Sequence, residues 1–443
     1  MRTPPQNFEA LCTGKLRLKM RIRTIGLFAL LMLAWTWTVQ AQHKPTHEEQ
    51  HRMDEAQGHQ AEADHHQLTC DCTPKEDSVF NTAKVAFHHI GDANAFHIWG
   101  DLYFPLPVML YAPGEGWTTM MSTRFDYAHN HGNGRKAINR YVMVEGVVYR
   151  VADVQFPSEE VAIDCVTEVE HDGESHPAIV YKGQCYPLES KTTWDGGMMG
   201  GGTTSFMDFS ITKNVFTMLL VFALLWWMFS AVRKAYQKHP NQAPKGLQNL
   251  VETIIVFIQE EVAKPFIGKH YFRFMPFLTA LFFFILALNL IGQIPFFPGS
   301  GNLTGNISVT AALALITFFR VNLVGNRHYW QHIFWMPGVP AAIKFILTPV
   351  EILGLFIKPF TLMLRLFANI TAGHIVLISF VGLIFVFGKM GENLLGASIG
   401  VVTAFLLNSF MMAIELLVAL IQAFVFTLLT ASYLGDATQE AHH

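Results

Sequence analysis

Arg365 carries the only formal charge in the run PFTLMLRLFANITAGHIVLISFVGLIFVFG, which begins at Pro359 and ends just before Lys389. A guanidinium loses its proton only above about pH 12, so it cannot escape burial by becoming neutral. Holding a charge at mid-bilayer costs from about 3 kcal/mol on insertion scales to more than about 10 in simulations. A sequence carries that cost when the charge has a partner, a water-filled cavity or a task. Thr361, Asn369 and Gly373 stand at one-turn spacing around Arg365, forming a polar, small-residue stripe. Snorkelling from a helix end explains it poorly, because more than twenty uncharged residues follow.

A second set lies further on. Asn408, Glu415 and Gln422 are spaced by seven and share one helix face within about 20° per step, and Tyr433 continues that face. Glu415 is the only acid between Glu392 and Asp436, and His374 is the only imidazole in the preceding apolar run. Upstream, Glu351, Lys358 and Arg365 also fall at heptad spacing. A fixed cation, an imidazole that titrates near neutrality and a carboxylate are the parts of a proton relay. Ionisable groups inside a membrane point to an aqueous ion path. A self-satisfied polar cluster between helices is the blander alternative.

The elements that must position these residues are apolar. Half the chain is hydrophobic (51%) and only 15% is charged, below the share of about 25% in soluble domains. The division falls near residue 206. After it, Asn214–Val232 is uncharged and ends in Arg233, Lys234, Lys238 and Lys245, so the positive-inside bias puts its start outside and its end in the cytoplasm. The segment 246–262 fits an interfacial helix with Leu250, Ile254, Phe257 and Ile258 on one face. Residues 274–319 are uncharged and broken at FFPGSGNLTGN, as in a helical hairpin; Arg320, Arg327 and HYWQHIFW return the chain to the cytoplasmic interface. Two long helices, about 359–388 and 398–434, exceed a straight span of about 20 residues and must tilt.

The front of the chain is built for export. Lys15, Arg17, Lys19, Arg21 and Arg23 precede the run TIGLFALLMLAWTW, and Val39-Gln40-Ala41 suits cleavage, so 1–41 reads as a signal peptide. Residues 42–78 are polar and rich in histidine (His43, His47, His51, His59, His65, His66), a composition expected to stay disordered. A solvated tail explains those histidines better than a metal site, since no Cys or carboxylate completes a ligand spacing. Residues 79–205 show short alternating runs (AFHIWGDLYF, YVMVEGVVYRV, AIVYKGQCYPL), as in a small β-rich domain. Cys70, Cys72, Cys165 and Cys185 would meet an oxidising compartment and form one or two disulfides. The fold class expected is a mainly α-helical polytopic membrane protein of about five embedded helices plus an interfacial one, preceded by that exported domain.

The run LRLFANITAGH with the downstream ALIQAFVFTLLTASYL resembles subunit a of F-type ATP synthases, over roughly residues 206–443. The resemblance implies that Arg365 faces the essential carboxylate of a rotating c-ring, with Asn369 and Gln422 lining the ion path beside it. Many bacterial members carry an acid nine residues after the arginine and a histidine seven before the glutamine. Here the pair is reversed, as His374 and Glu415. An exchange preserves an acid–imidazole pair if the helices are adjacent.

The resemblance implies two half-channels. A proton enters from outside through Glu415, His374, Asn369 and Gln422, neutralises a rotor carboxylate, and leaves inward after nearly a full turn, with Glu351 as the outlet group. The chain itself would be no enzyme: it lacks a GxxxxGK[ST] phosphate loop, and no cofactor or metal is expected. Expected partners are the c-ring proteolipid oligomer, the peripheral-stalk subunit b, the remaining synthase subunits and the lipid bilayer of a bacterial inner membrane, with no nucleic acid. Two other classes remain in view. A secondary ion transporter would show paired repeats, which are not visible in 206–443. A membrane-anchored periplasmic metal-binding protein would need only one span.

Overall fold

The computed structural model describes Cys72 and residues 91–99, 102–127, 132–171, 174–192, 204–239, 242–294, 303–336, 339–389 and 393–438. The expected signal peptide and histidine-rich segment lie outside the described residues, Cys72 excepted. The described chain forms strands first and apolar helices afterwards, the fold class that the hydropathy pattern implies. It divides into two compact units.

The first unit comprises Met109–Phe209, with the segment up to Thr73 and Arg233–Gln242. Hairpins dominate it. β6 (Tyr141–Val144) and β7 (Val147–Val151) pair through Val144 and Val147, with Glu145 and Gly146 at φ of 50° and 82° in the turn. β10 (Glu174–Tyr181) and β11 (Gln184–Glu189) meet likewise across Lys182 and Gly183, at 52° and 74°. Two positive-φ residues in a two-residue loop match the strand twist, which is why glycine holds the second place. With β9 (Cys165–His171) these strands make a five-stranded antiparallel sheet in the order β6-β7-β11-β10-β9. Ala137, Val142, Val151, Phe156 and Ile179 form its core. A smaller sheet joins β3 (Pro107–Ala112) to β4 (Gly116–Met121) and β12 (Met207–Asp208). β3 buries Val108, Leu110 and Ala112 in strict alternation.

Two features tie this unit together. Cys72 and Cys165 form a disulfide across a sequence separation of 93, and Cys185 is disulfide-bonded as well. A crosslink closing so long a loop stabilises by about 4.6 kcal/mol in the chain-entropy account. Glu115, between β3 and β4, pairs with both Arg140 and Arg150, whose side chains are buried. Arg140 also donates to the carbonyls of Val151 (2.9 Å) and Ala152 (3.2 Å), and Arg150 donates to that of Ser205 (3.1 Å).

The second unit comprises Pro74–Val108, Ser210–Val232 and everything from Ala243 on. It opens with the hairpin of β1 (Ala95–Trp99) and β2 (Leu102–Pro105). Phe96 meets Phe216, in the first turn of α1 (Lys213–Lys238), edge to face, and Phe104 packs on the same ring at a tilt. After α2 (Leu247–Phe257), a π-helical turn at Ile258–Ala263 and the short α3 (Lys264–Ile267) comes α4 (Tyr271–Gly292). α4 buries residues on every side, including Leu278, Phe282, Phe283, Ile285 and Ala287, so it is the central post of the unit. α5 (Ile307–Val324) starts at Asn306, whose side chain accepts from the Ser308 amide at 2.9 Å. Then follow α6 (Arg327–Phe334), α7 (Ala341–Phe387) and α8 (Leu394–Thr438).

Five helical stretches are long and apolar enough to cross a membrane: α1, Leu247–Gly292, α5, Ile343–Phe387 and α8. α7 has 47 residues, about 70 Å at 1.5 Å per residue, so it cannot run straight along the normal of a 30 Å hydrocarbon core. It begins 18 residues before the start expected at 359, because Pro349 and Pro359 lie inside it and do not end it. A membrane helix keeps interior prolines where neighbours re-satisfy the freed carbonyls. The face of α2 also differs from expectation. Val251 and Ile258 are buried, whereas Leu250 and Phe257 are exposed. The amphipathic pattern marks the apolar stripe of this helix, and it does not tell which part of that stripe meets the protein.

Candidate functional site

α7 and α8 run antiparallel, and three contacts fix their register. A Cβ at Gly400 would lie 2.9 Å from the Ile384 Cα; the Glu415 side chain packs on Gly373; and the Lys358 ammonium sits 5.1 Å from the Tyr433 ring centre. Small residues make this approach possible: α8 buries Gly400, Ala404, Ala419, Ala423 and Ala431 along its inner stripe. The register places Gln422, which is buried, level with the segment Leu366–Asn369 of α7.

Arg365 stands at the edge of the packed face. Leu362, Leu366 and Ile370 are buried beside it, while Thr361 and Asn369 are exposed and Arg365 is half-buried. Among the described residues Arg365 makes no hydrogen bond and no ion pair; the Tyr433 hydroxyl lies within its Coulombic reach. No group among the described residues neutralises the charge. The stripe of Thr361, Arg365 and Asn369 is open to whatever covers this side of α7.

Glu415 is the opposite case. It is buried on α8, its Oε1 has no hydrogen-bond partner, and its carboxyl lies in the notch left by Gly373. His374 is the next residue on α7, so carboxyl and imidazole occupy one level of the helix pair. No hydrogen bond joins them among the described residues. On its other side Glu415 is held by α4. The Gln293 side chain donates to the Glu415 carbonyl at 2.7 Å, and one turn away Asn289 donates to the Ala419 carbonyl at 3.3 Å. These two amides form a matched ladder, with four-residue steps on both helices. They were not singled out from the sequence, although two amides one turn apart in an uncharged run are a readable signal. Asn289 Oδ1, Thr371 Oγ1 and Asn408 Oδ1 are also buried without a partner, and such atoms are the places that take up water.

Glu351 belongs to a separate group. It lies 3.8 Å from His332 on α6, a contact that becomes an ion pair when the imidazole is protonated. Fourteen residues, about 21 Å of helix, separate it from Arg365. Between them a crevice is lined by Thr317, Asn322, Tyr329, Lys358 and Tyr433. Tyr329 donates to Asn322 at 3.1 Å there. Along α7, Arg365 thus stands between a polar region at Glu351 and Lys358 and the level of His374, where Glu415 of α8 packs on Gly373. Among the described residues no cluster of His, Cys, Asp and Glu could hold a metal ion.

The comparisons with known proteins fall on this region. The family model described as ATP synthase A chain matches residues 215–435. A second model, described as Domain of unknown function (DUF8433), matches residues 85–175. The chain is 45% identical over 242 residues to ATP synthase subunit a of Chloroherpeton thalassium, covering 53% of this chain and 69% of that one. It is 39% identical over 250 residues to ATP synthase subunit a 2 of Chlorobium luteolum, covering 54% and 70%.

Proposed function

Since this chain belongs to the ATP synthase A chain family, we propose that it is the stator subunit of the synthase's membrane sector and carries protons between two half-channels and a rotor of small carboxylate-bearing subunits. The observation that supports this most is Arg365, a permanent cation with no ion pair among the described residues, set between two polar regions. Its counter-charge then comes from a neighbouring subunit. A rotor carboxylate is the suitable one, because it must be attracted when bare and released once protonated.

The cycle follows from electrostatics. A proton passes from outside through the group of Glu415, His374, Asn369 and Gln422 and neutralises a rotor carboxylate beside Arg365. A neutral carboxyl can turn into lipid without the cost of burying charge. After nearly a full turn it meets the region of Glu351 and releases its proton inward. Arg365 blocks direct passage, since a proton crossing that level would meet a fixed positive charge. Each proton supplies about 2.3 kcal/mol per 100 mV of potential, in addition to the pH gradient. The other synthase subunits, including a peripheral-stalk subunit b, complete the machine, and this chain holds no nucleotide site. The topology proposed puts the start of α1 outside a bacterial inner membrane and the end of α8 in the cytoplasm.

The test is Arg365→Ala in an assembled complex. ATP-driven acidification of inverted vesicles is lost on this reading. Coupled pumping that survives would overturn it.

A further inference from the structure

A buried lysine stands where this mechanism gives it no task. Lys213 opens α1, is 7% exposed and has Asp92 within Coulombic reach. Asp92 precedes β1, and its Oδ1 accepts from the amides of Ala93 (3.0 Å) and Asn214 (3.1 Å); the Lys213 amide donates to the Ala93 carbonyl at 2.7 Å. Asn94 and Asn214 are buried with them, at 1% and 5% exposure. The Asn94 Nδ2 and the Asn214 Oδ1 have no hydrogen-bond partner. Buried amide atoms without a partner cost stability unless water reaches them. This corner is therefore polar, charged and suited to water.

Its position connects it to the site. Two turns along α1, Val221 and Met218 join one apolar cluster with Leu288 and Ile291 of α4, next to the two amides that hold α8 at Glu415 and Ala419. Lys213 is eight residues, about 12 Å, nearer the outer end than Val221. On the side of α7, His374 lies within Coulombic reach of Lys213. Asp92 and His374 are titratable groups within Coulombic reach of this lysine. Asp92, Asn94, Lys213 and Asn214 all precede the stretch matched by the ATP synthase A chain model.

We propose that Asp92 and Lys213 form the outer threshold of the proton inlet: a hydrated charged mouth, half of it supplied by the exported extension, in which Lys213 is a positioning charge acting through His374. This rests on the half-channel reading above. A cation beside the inlet repels the arriving proton, and Asp92 offsets it. Removing the lysine charge moves the dependence of flux on outer pH toward higher pH, by about one unit for a tenfold change in proton occupancy. Removing the Asp92 charge moves it the other way.

The experiment uses the whole complex in liposomes. ATP synthesis is driven at fixed potential while the pH on the inlet side is varied and that on the outlet side is held, and then the reverse. Lys213→Met is expected to shift the inlet profile and leave the outlet profile in place, with Lys213→Arg restoring it. An unchanged inlet profile, or an equal shift on both sides, would overturn the proposal. Since Lys213→Met could lose assembly, a second measurement uses Asn214→Cys in intact cells treated with a membrane-impermeant, charged thiol reagent. Labelling from outside that lowers pumping in vesicles made afterwards supports the mouth. An unlabelled position 214, or labelling without loss, overturns it. Failure of the parent reading is told apart by Arg365→Ala, which would then retain coupled pumping.

Discussion

The carboxyl of Glu415 occupies the space that a side chain at Gly373 would need: a Cβ there would lie 3.1 Å from the Glu415 Cδ and 3.3 Å from its Cγ. The obstructing group is the free end of a flexible side chain, so it can swing aside. Gly373→Ala is therefore expected to leave assembly intact and to displace the carboxyl from its level beside His374, cutting proton flux several-fold. Gly354→Ala is the matched control, since nothing lies within 4 Å of a Cβ at that position on the same helix. Gly435→Ala should differ from both. There the Cβ meets the Phe266 carbonyl oxygen of the backbone, which cannot swing, and overpacking of this kind costs about 1–3 kcal/mol. Blotting for the assembled complex beside a pumping assay separates the three outcomes, and equal effects at 354 and 373 would refute the notch.

Arg365→Lys tests whether charge alone suffices. An ammonium has a different reach and can lose its proton when desolvated, whereas a guanidinium keeps its charge. With no hydrogen bond or ion pair among the described residues to hold a lysine in place, Arg365→Lys should fail in coupled pumping nearly as completely as Arg365→Ala. Passive proton leak should rise more in Arg365→Ala, where the barrier between the two polar regions is gone. Coupled pumping near the unmodified rate in Arg365→Lys would reduce the residue to a point charge.

The loudest parts of this structure were those where a charge interrupts an oily run. Arg365, Glu415 and His374 could be read directly, because a single ionisable group among twenty apolar residues has few innocent explanations. The alternating runs YVMVEGVVYRV and AIVYKGQCYPL each fold as one hairpin, with Glu145-Gly146 and Lys182-Gly183 as turns. Asn289 and Gln293 are visible as two polar residues one turn apart in an uncharged run, but only the approach of α8 shows what they hold. The start of α7 was obscured by Pro349 and Pro359, which mark helix ends in water and not in a packed membrane bundle. That Arg365 makes no ion pair among the described residues is a property of the assembled helices and has no sequence signature.

The reversed acid and imidazole make a sharper test of cooperation. Glu415 and His374 occupy one level of two packed helices, so each replacement alone, His374→Glu or Glu415→His, should impair flux. Combining them returns an acid and an imidazole to the same level with the helices exchanged. The double variant is expected to recover part of the activity lost by the worse single variant, measured by ATP-driven quenching of a pH dye in inverted vesicles. A double variant no better than that single one would mean that the two groups work independently.

In the β-rich unit, Glu115 lies over two buried guanidinium groups. Removing one partner of a buried ion pair costs about 3–5 kcal/mol, but this carboxylate is 46% exposed and water screens part of the loss. Glu115→Gln should therefore destabilise the unit by about 1–2 kcal/mol, a fall of a few degrees in melting temperature. Protease sensitivity of the β3–β4 turn should rise in parallel. Arg150→Lys should be as damaging, because an ammonium cannot bridge the carboxylate and the Ser205 carbonyl in the same fork geometry. A melting curve unchanged in both variants would show that the cluster contributes nothing net.

The strand pair β5 (Lys136–Ala137) and β8 (Val161–Ala162) carries a pH dependence whose sign can be worked out. Glu160 accepts from Lys136 at 2.9 Å and from Arg124 at 3.2 Å. The hydrogen bond from Lys136, then its charge and the bond from Arg124, hold the Glu160 carboxyl below the ordinary carboxylate value of 4.5. Unfolding returns it to that value. The group therefore contributes stability that is complete well above 4.5 and is lost as the pH falls through the depressed folded value. The same contacts raise Lys136, whose contribution is complete below its ordinary value of 10.5 and is lost in alkali. Both side chains are largely solvated, so the effect is local and salt-sensitive. Hydrogen exchange at the Ile163 amide, which donates to the Arg135 carbonyl between these strands at 3.0 Å, reads it directly. Exchange there, corrected for the intrinsic pH dependence of amides, should be faster in Glu160→Gln than in the unmodified protein at pH 7. Once the pH has fallen below the depressed folded value of Glu160 the two should converge. A difference that persists undiminished in acid would show that Glu160 acts through its shape and not its charge.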